Sequence, residues 1–520
     1  MIKMYSKKKS PVMLLLAKLF LFILILASCL VGMFFLESIN VLDAFFPLEN
    51  PEAVVFTLTH NVSGAQKVVY ILLEPCIKKT IEDTLFILAL LGILSMSLSF
   101  FLARKEFAKK NIRCILKKSF VYGAAGIGIF NLIVWVLVVY KFPIVPYAQY
   151  CKSIMAGPIY NSLYEEDYVD PDTVRITFEQ KRNLIFVMME SMESNFQDRE
   201  HGGNLDENLI PEITELFNTN LSFMPGGVFV EGTGWTMAET VAKTCGIPLQ
   251  EPIKHNKNGI RNYLKKIVCL TDILQKNGYA IKLLQGTDVR FASMDYFSTS
   301  HGISKNDICD LYCFEKKGIS NTDTSSFKGV KDAELYEEVK TTITDLGKLN
   351  RPWMLWFYTI DTHCPYGRIN SGCVEMPPSI EEKDQYPFVV RCASKLINDF
   401  VEWARLQDWY KNTTIVVLGD HPAMIPPEVA GFPNEKIEHY WLDVFMNSTI
   451  DFAPKKERQF TSFDMYPTIL EAMGVKIEGH ALGLGRSLFS SEPTLIEKYG
   501  KDSLNVLIKK KGSKSKSFWD

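Results

Sequence analysis

The sequence predicts an α/β protein on a membrane anchor: N-terminal transmembrane helices, then a doubly wound sandwich around a mostly parallel central sheet. Three observations predict it. Long apolar runs crowd the front of the chain, at 12–36, 84–103 and 119–140. Strand-like runs alternate with helical patterns over residues 183–492. Three segments, NLIFVMMES (Asn183–Ser191), TIDTHCP (Thr359–Pro365) and TTIVVLGDH (Thr413–His421), are apolar runs that stop abruptly at a carboxylate, a histidine or both. A mostly parallel sheet delivers polar groups to the carboxyl ends of its strands in this way, and α/β proteins place their sites there.

The anchor comes first, over residues 1–140. Each of its three runs is about long enough for a ~30 Å hydrocarbon layer, which needs roughly 20 apolar residues. A cleaved signal peptide is disfavoured for the first run, which exceeds a usual h-region and is followed by two further spans. The N-terminus carries Lys3, Lys7, Lys8 and Lys9. The loop before the third span carries Arg104, Lys105, Lys109, Lys110, Arg113, Lys117 and Lys118 against a single acid, Glu106. Positive residues stay inside, so three spans place the N-terminus in the cytoplasm and everything after Tyr140 outside. Gln66–Cys76 contains Lys67 and Glu74 and reads as interfacial or extracytoplasmic rather than spanning. The expected location is therefore the cytoplasmic (inner) membrane, multi-pass, with the large domain on the extracytoplasmic/periplasmic side. The spans hold no charge beyond Lys18, which disfavours a channel or transporter. A net charge of −2 and a pI near 6.5 argue against nucleic acid as a partner.

Residues 141–182 read as a connector with mixed charge. The extracytoplasmic domain, 183–492, has strand-like runs at Asn183–Met189, Tyr279–Leu284, Trp353–Ile360 and Thr413–Leu418. Between them lie helical patterns at Leu209–Asn218, Asn262–Asn277, Asp332–Leu346 and Val389–Trp409. Eight of the eleven cysteines follow the third span, which permits disulfides outside the cell; Cys309/Cys313 and Cys364/Cys373 are close enough in sequence to pair. No CxxC occurs, so zinc knuckles are not expected. Residues 493–520 end in KKKGSKSKSFWD, a basic polar stretch expected to be a disordered tail.

The stretch Gly232-Thr233-Gly234-Trp235-Thr236 completes the polar strand ends. Glu190, Thr236, Asp420 and His421 together offer three oxygens and one imidazole, a four-ligand set for a divalent metal. A hydroxyl among the ligands points to a nucleophile. Taken singly, GTGWT is a turn, Glu190 a strand-end or helix N-terminal acid, and His363 or His421 a structural histidine. Asp361 reads as a turn former, and Glu239 and His301 as polar groups without a fixed role.

In order, GTGWTMAETVAKTCGIPL (Gly232–Leu249), DTH (Asp361–His363), GDH (Gly419–His421), DMYPTILEAMG (Asp464–Gly474) and GLGRSL (Gly483–Leu488) resemble the alkaline phosphatase/sulfatase superfamily. Within it, the chain resembles the membrane-anchored phosphoglycerol transferases, those that decorate periplasmic glucans and, more distantly, lipoteichoic acid synthases. The resemblance implies an alkaline-phosphatase-like α/β sandwich and makes Thr236 rather than Thr233 the nucleophile. It implies metal ligands Glu190, Thr236, Asp420 and His421, with His363 against the phosphoryl group or its leaving oxygen and Trp235 at the substrate. It implies Mn2+ as the ion, with Mg2+ or Zn2+ as alternatives. It implies a phospholipid donor such as phosphatidylglycerol and a glycan acceptor. The runner-up readings are a phosphoethanolamine transferase of the same superfamily and a non-catalytic glycan-binding scaffold. Sulfatase activity is disfavoured, because no Cys or Ser lies in a CxPxR context. Cys364 stands where glucan-modifying relatives tend to have a second histidine, and Gly286–Ile303 lacks the Trp-Asn-Arg run associated with lipoteichoic acid synthases.

Overall fold

A computed structural model describes residues 11–45, 48, 50–60, 66–102, 112–155, 163–250, 262–319, 328–370, 373–377, 379–433, 437–450, 457–510 and 512–519. The chain divides into two compact units: Met1–Glu49 with Val69–Tyr147, and Asn50–Val68 with Ala148–Asp520.

Among the described residues, the first unit holds three helices long and apolar enough to cross a membrane, α1 (Pro11–Phe45), α3 (Gln66–Leu102) and α4 (Ile112–Lys141), with candidate spans Leu19–Val41, Leu73–Leu98 and Phe120–Lys141. The second span starts earlier than its most apolar stretch implies. Gln66–Cys76 is not a separate interfacial piece but the start of one helix that runs on through Pro75. Lys79, in the same helix, is satisfied by Glu37 at 3.0 Å. Packing of α1 on α4 uses small and polar groups: Gly32 sits under Val134 and Trp135, Trp135 Nε1 donates to Ser28 Oγ at 3.0 Å, and Asn131 Nδ2 donates to the Ile25 carbonyl at 3.1 Å. Lipid tails give helices no hydrophobic reason to associate, so close backbone approach and hydrogen bonds serve instead. Most of the basic inter-span loop lies outside the described residues.

The second unit is built on a six-stranded sheet. Its strands are β1 (Asn183–Met189), β2 (Ala280–Gln285), β3 (Ile308–Cys309), β4 (Trp353–Tyr358), β5 (Thr413–Gly419) and β6 (Asp443–Met446), in the spatial order β3-β2-β4-β1-β5-β6. All neighbours are parallel except β5 and β6. β1, β4 and β5 are buried along their whole length. That is why they read as unbroken apolar runs rather than as alternating ones. Side chains still alternate between the faces. Phe186 and Trp356 stack on one face, where α6 (Thr236–Cys245) and α10 (Met465–Ala472) contribute to the same core. Phe357 points the other way, onto Tyr336 of α8 (Asp332–Leu346) and Phe400 of α9 (Tyr386–Arg405).

Three departures from the sequence reading are structural findings. α2 (Pro51–Thr59), from the loop between the first two apolar helices, belongs to the sheet-bearing unit, with Ala53 and Phe56 in its core. Its start is fixed by Pro51 at the first helical position and by Asn50, whose side chain accepts from Ala53 N. The basic C-terminus is folded: Lys501–Lys509 is helical, and Phe518 and Trp519 enter the same core, against Tyr168 and Tyr263 at 5.3 and 5.1 Å. Two aromatics at the end of a polar stretch outweigh its lysines, because each ring buries a large apolar area. Of the expected cysteine couples, Cys309–Cys313 forms, but Cys364 is free and buried; Cys373 instead reaches Cys392 on α9, and Cys245 bonds Cys269. Nearness in sequence does not bring Cβ atoms together, whereas a helix packed over a loop does.

Candidate active site

Three neighbouring strands end at one place. β1 lies between β4 and β5, so residues just past Met189, Tyr358 and Gly419 meet above the sheet. β1 turns sharply after Glu190, where Ser191 takes a left-handed φ of 52°. The turn lies so close on β5 that a Cβ on Gly419 would stand 1.9 Å from the Met192 carbonyl oxygen, so only glycine fits there. Asp420 N donates to the Met189 carbonyl at 3.0 Å, and Asp420 Oδ1 accepts from Ser191 N and His421 N, each at 2.7 Å.

These contacts bring Glu190, Asp420 and His421 together, one ligand atom of each lying within 4.8 Å of the others, all buried. His421 Nδ1 is 2.8 Å from the Pro422 carbonyl. A carbonyl only accepts, so Nδ1 holds the proton and Nε2 faces inward, 3.3 Å from Glu190 Oε1 and 3.4 Å from Asp420 Oδ2. Asp420 Oδ2 is buried and has no hydrogen-bond partner. Two carboxylates, one with a buried oxygen that lacks a hydrogen-bond partner, and an inward imidazole nitrogen fit a divalent cation.

The charges say the same. Burial and the neighbouring Glu190 push the Asp420 carboxyl up to about 7. Burial works against a charged His421, yet Asp420 and Glu190 hold it up to about 10. Two acids packed this closely call for positive charge, which the imidazole supplies here and a cation supplies in its place.

His363 follows β4 on a loop secured from behind. Asp361 accepts from Asp332 N at 2.8 Å and from Asn370 Nδ2 at 2.5 Å, and pairs with the buried Arg368 at 2.8 Å. Thr362 Oγ1 donates to the Glu190 carbonyl at 2.5 Å. Asp361 thus holds the loop from behind. His363 Nδ1 meets the Cys364 carbonyl at 2.8 Å, which fixes that edge of the ring. Burial lowers its affinity for a proton, but Cys364 and Glu190 outweigh that and hold it up to about 9.

Thr236 is the first residue of α6 and is half-buried. The GTGWT turn before it needs Gly232 at φ +73°, and a Cβ there would meet Pro248 at 2.6 Å. Trp235 is buried against Phe56 of α2, and its indole N–H has no hydrogen-bond partner. The Thr236 carbonyl accepts from Thr240 Oγ1, itself 2.8 Å from Tyr358 Oη at the end of β4. Thr233 Oγ1 donates to the Val230 carbonyl at 2.7 Å.

His301 stands apart from this cluster. It pairs with Asp272 at 2.7 Å beside Cys245 and Cys269, whose sulfurs are bonded to each other and are no thiolate ligands. Sequence reasoning missed Arg368, Asp332 and Lys243, all buried charges behind the site. Lys243 carried a signal, its i,i+4 spacing from Glu239 on one helix.

The sequence profile of the Sulfatase family matches residues 182–475. Phosphoglycerol transferase I of Escherichia fergusonii is 32% identical over 248 residues, 47% of this chain and 31% of that protein. Phosphoglycerol transferase I of Xanthomonas axonopodis pv. citri is 28% identical over 358 residues, 65% of this chain and 49% of that protein. The matched region thus spans between about a third and a half of those relatives' length. A crystal structure of a protein in the alkaline phosphatase superfamily from Vibrio parahaemolyticus superposes with a TM-score of 0.50 at 18% identity, covering 68% of this chain and 80% of that one.

Proposed function

The chain belongs to the sulfatase family, and from that premise we propose that it transfers a phosphoglycerol group from a membrane phospholipid to an extracytoplasmic glycan through a phospho-Thr236 intermediate. The observation that carries the reading is the buried Glu190–Asp420–His421 cluster with its orphaned carboxylate oxygen, in a chain whose relatives include phosphoglycerol transferases. Three disulfides support an oxidising compartment for this unit and therefore the inside-out charge reading of the anchor.

Glu190, Asp420 and His421 would hold the cation, with Thr236 Oγ1 as fourth ligand. When bound there, a divalent ion, Mn2+ by family likeness, would favour the threonine alkoxide and neutralise charge on the phosphoryl oxygens. Thr236 Oγ1 attacks phosphorus, and the bond to the diacylglycerol oxygen breaks. His363 Nε2 gives its proton to that leaving oxygen. An acceptor hydroxyl then returns a proton to His363 as it attacks, and Thr236 leaves as the alkoxide it began as. Trp235 is assigned to the substrate by family likeness alone.

The test is peptide mass spectrometry of the full chain with Mn2+ and phosphatidylglycerol. The expected adduct is one dehydrated glycerophosphate on Thr236, absent from Thr236→Ala. An adduct formed only from phosphatidylethanolamine moves the assignment to that head group. No adduct with either lipid on folded, metal-loaded protein overturns the transferase reading in favour of a scaffold.

A further inference from the structure

Glu239 and Lys243 are both completely buried, and the mechanism above uses neither. They lie one turn apart on α6, with Lys243 Nζ 2.5 Å from Glu239 Oε2. Each reaches further. Glu239 Oε1 accepts from Gly234 N at 2.9 Å, inside the turn that presents Thr236. Lys243 Nζ donates to the carbonyl of Asp420 at 2.8 Å and sits 4.3 Å from the Trp441 ring centroid. The chain of contacts therefore runs from Gly234 through Glu239 and Lys243 to Asp420. One end is two residues before the proposed nucleophile and the other is a proposed metal ligand.

A buried ion pair is a poor way to add stability. Taking both charges out of water costs several kcal/mol per ion, and apolar residues of similar volume often serve as well or better. An i,i+4 pair can also sit in solvent, where it costs little. This pair is turned inward, and each end is bonded to backbone on a different element. Its distinctive property is geometric: charge-assisted bonds are short and directional, and they fix the two ends relative to each other.

We propose that Glu239 and Lys243 are positioning residues that set the placement of Thr236 against the Asp420–His421 strand end, and so control both metal affinity and the rate of phosphoryl transfer. The proposal rests on the functional reading above. Neither residue touches substrate. Partners of this kind behind metal ligands are worth about 10- to 100-fold in affinity or activity.

The test uses the full chain in detergent and the double variant Glu239→Gln/Lys243→Met, which removes both charges at near-constant volume and leaves no buried ion unpaired. Mn2+ affinity is measured by calorimetry, thermal unfolding by fluorescence, and kcat and KM with phosphatidylglycerol at saturating Mn2+. The expected result is an unfolding temperature close to the parent's, Mn2+ affinity weaker by about tenfold, and kcat lower by about 10- to 100-fold at little-changed KM. Affinity and kcat within about twofold of the parent would leave the pair a stability element only and overturn the proposal. If the double variant does not fold, Glu239→Gln alone, which keeps the oxygen facing Gly234, carries the same comparison. If the parent binds Mn2+ but turns over no phospholipid, the functional reading fails, while the difference in Mn2+ affinity still decides the positioning role.

Discussion

The ring of Phe56 lies 6.0 Å from the indole of Trp235, so a helix that the chain makes between its first two apolar helices covers the residue preceding Thr236. Phe56 is 5% exposed and shares its core with Leu163, Tyr164 and Trp235. The sheet-bearing unit is therefore discontinuous in sequence, and residues 141–520 alone lack part of its core.

Truncating Phe56 leaves a hole beside Trp235. Phe56→Ala is expected to destabilise this unit by about 3 kcal/mol, and Phe56→Leu by clearly less, because Leu refills most of the volume. Thermal unfolding of the full chain measures both. An unchanged midpoint for Phe56→Ala would mean that α2 contributes nothing to the core.

The parts that the sequence shows plainly are those where local pattern and global role coincide. β1, β4 and β5 are buried on both faces, so their composition alone marks them, and the carboxylates and histidine that end β1 and β5 mark the site. What the sequence hides is pairing at a distance. Nothing in Pro51–Thr59 says that it leaves the anchor for the other unit, and nothing near Cys373 says that its partner is Cys392 rather than Cys364. Sequence spacing favours the short connection from Cys364, whereas packing of α9 over the loop brings Cys392 to Cys373. The C-terminus misled for a related reason: its lysines set the composition while its last two described residues, Phe518 and Trp519, set the packing.

Trp519 is 8% exposed and lies against the fully buried Tyr263. Trp519→Ala is expected to cost about 3 kcal/mol, and deletion of residues 512–520 more, since Phe518 leaves with it. Urea denaturation followed by tyrosine fluorescence reads the loss. A deletion as stable as the parent would return these residues to the status of a loose tail.

Glu193 is wholly buried and accepts from His439 Nδ1 at 2.5 Å and from Ala423 N at 2.7 Å. Burial disfavours a charged His439, but Glu193 outweighs this and raises its affinity for the proton. A histidine that binds its proton more tightly when folded stabilises the fold fully below its ordinary value of 6.5 and loses that contribution as pH rises through the higher, folded value. Unfolding midpoints of the parent are therefore expected to fall relative to those of His439→Gln as pH rises above that ordinary value. Parallel curves for the two proteins would show that the pair does not titrate there.

Asp420 Oδ2 is buried without a hydrogen-bond partner, 3.4 Å from His421 Nε2, and Glu190 beside it carries the same sign of charge. Without a cation this corner is a stored cost; with one it is satisfied. Two consequences of opposite sign follow from the same atom. Mn2+ at about a hundred times its dissociation constant is expected to stabilise the parent by about 2.7 kcal/mol, and a chelator to remove that gain. Asp420→Asn keeps the oxygen that accepts from Ser191 and His421 while removing one of two neighbouring negative charges. In chelator its midpoint is expected to exceed the parent's by the equivalent of about 1–3 kcal/mol, the penalty of an unsatisfied buried group. In Mn2+ it is expected to show no gain at all. An Asp420→Asn variant that is less stable than the parent without metal would show that the carboxylate serves the fold, and that the cluster is not built around an absent cation.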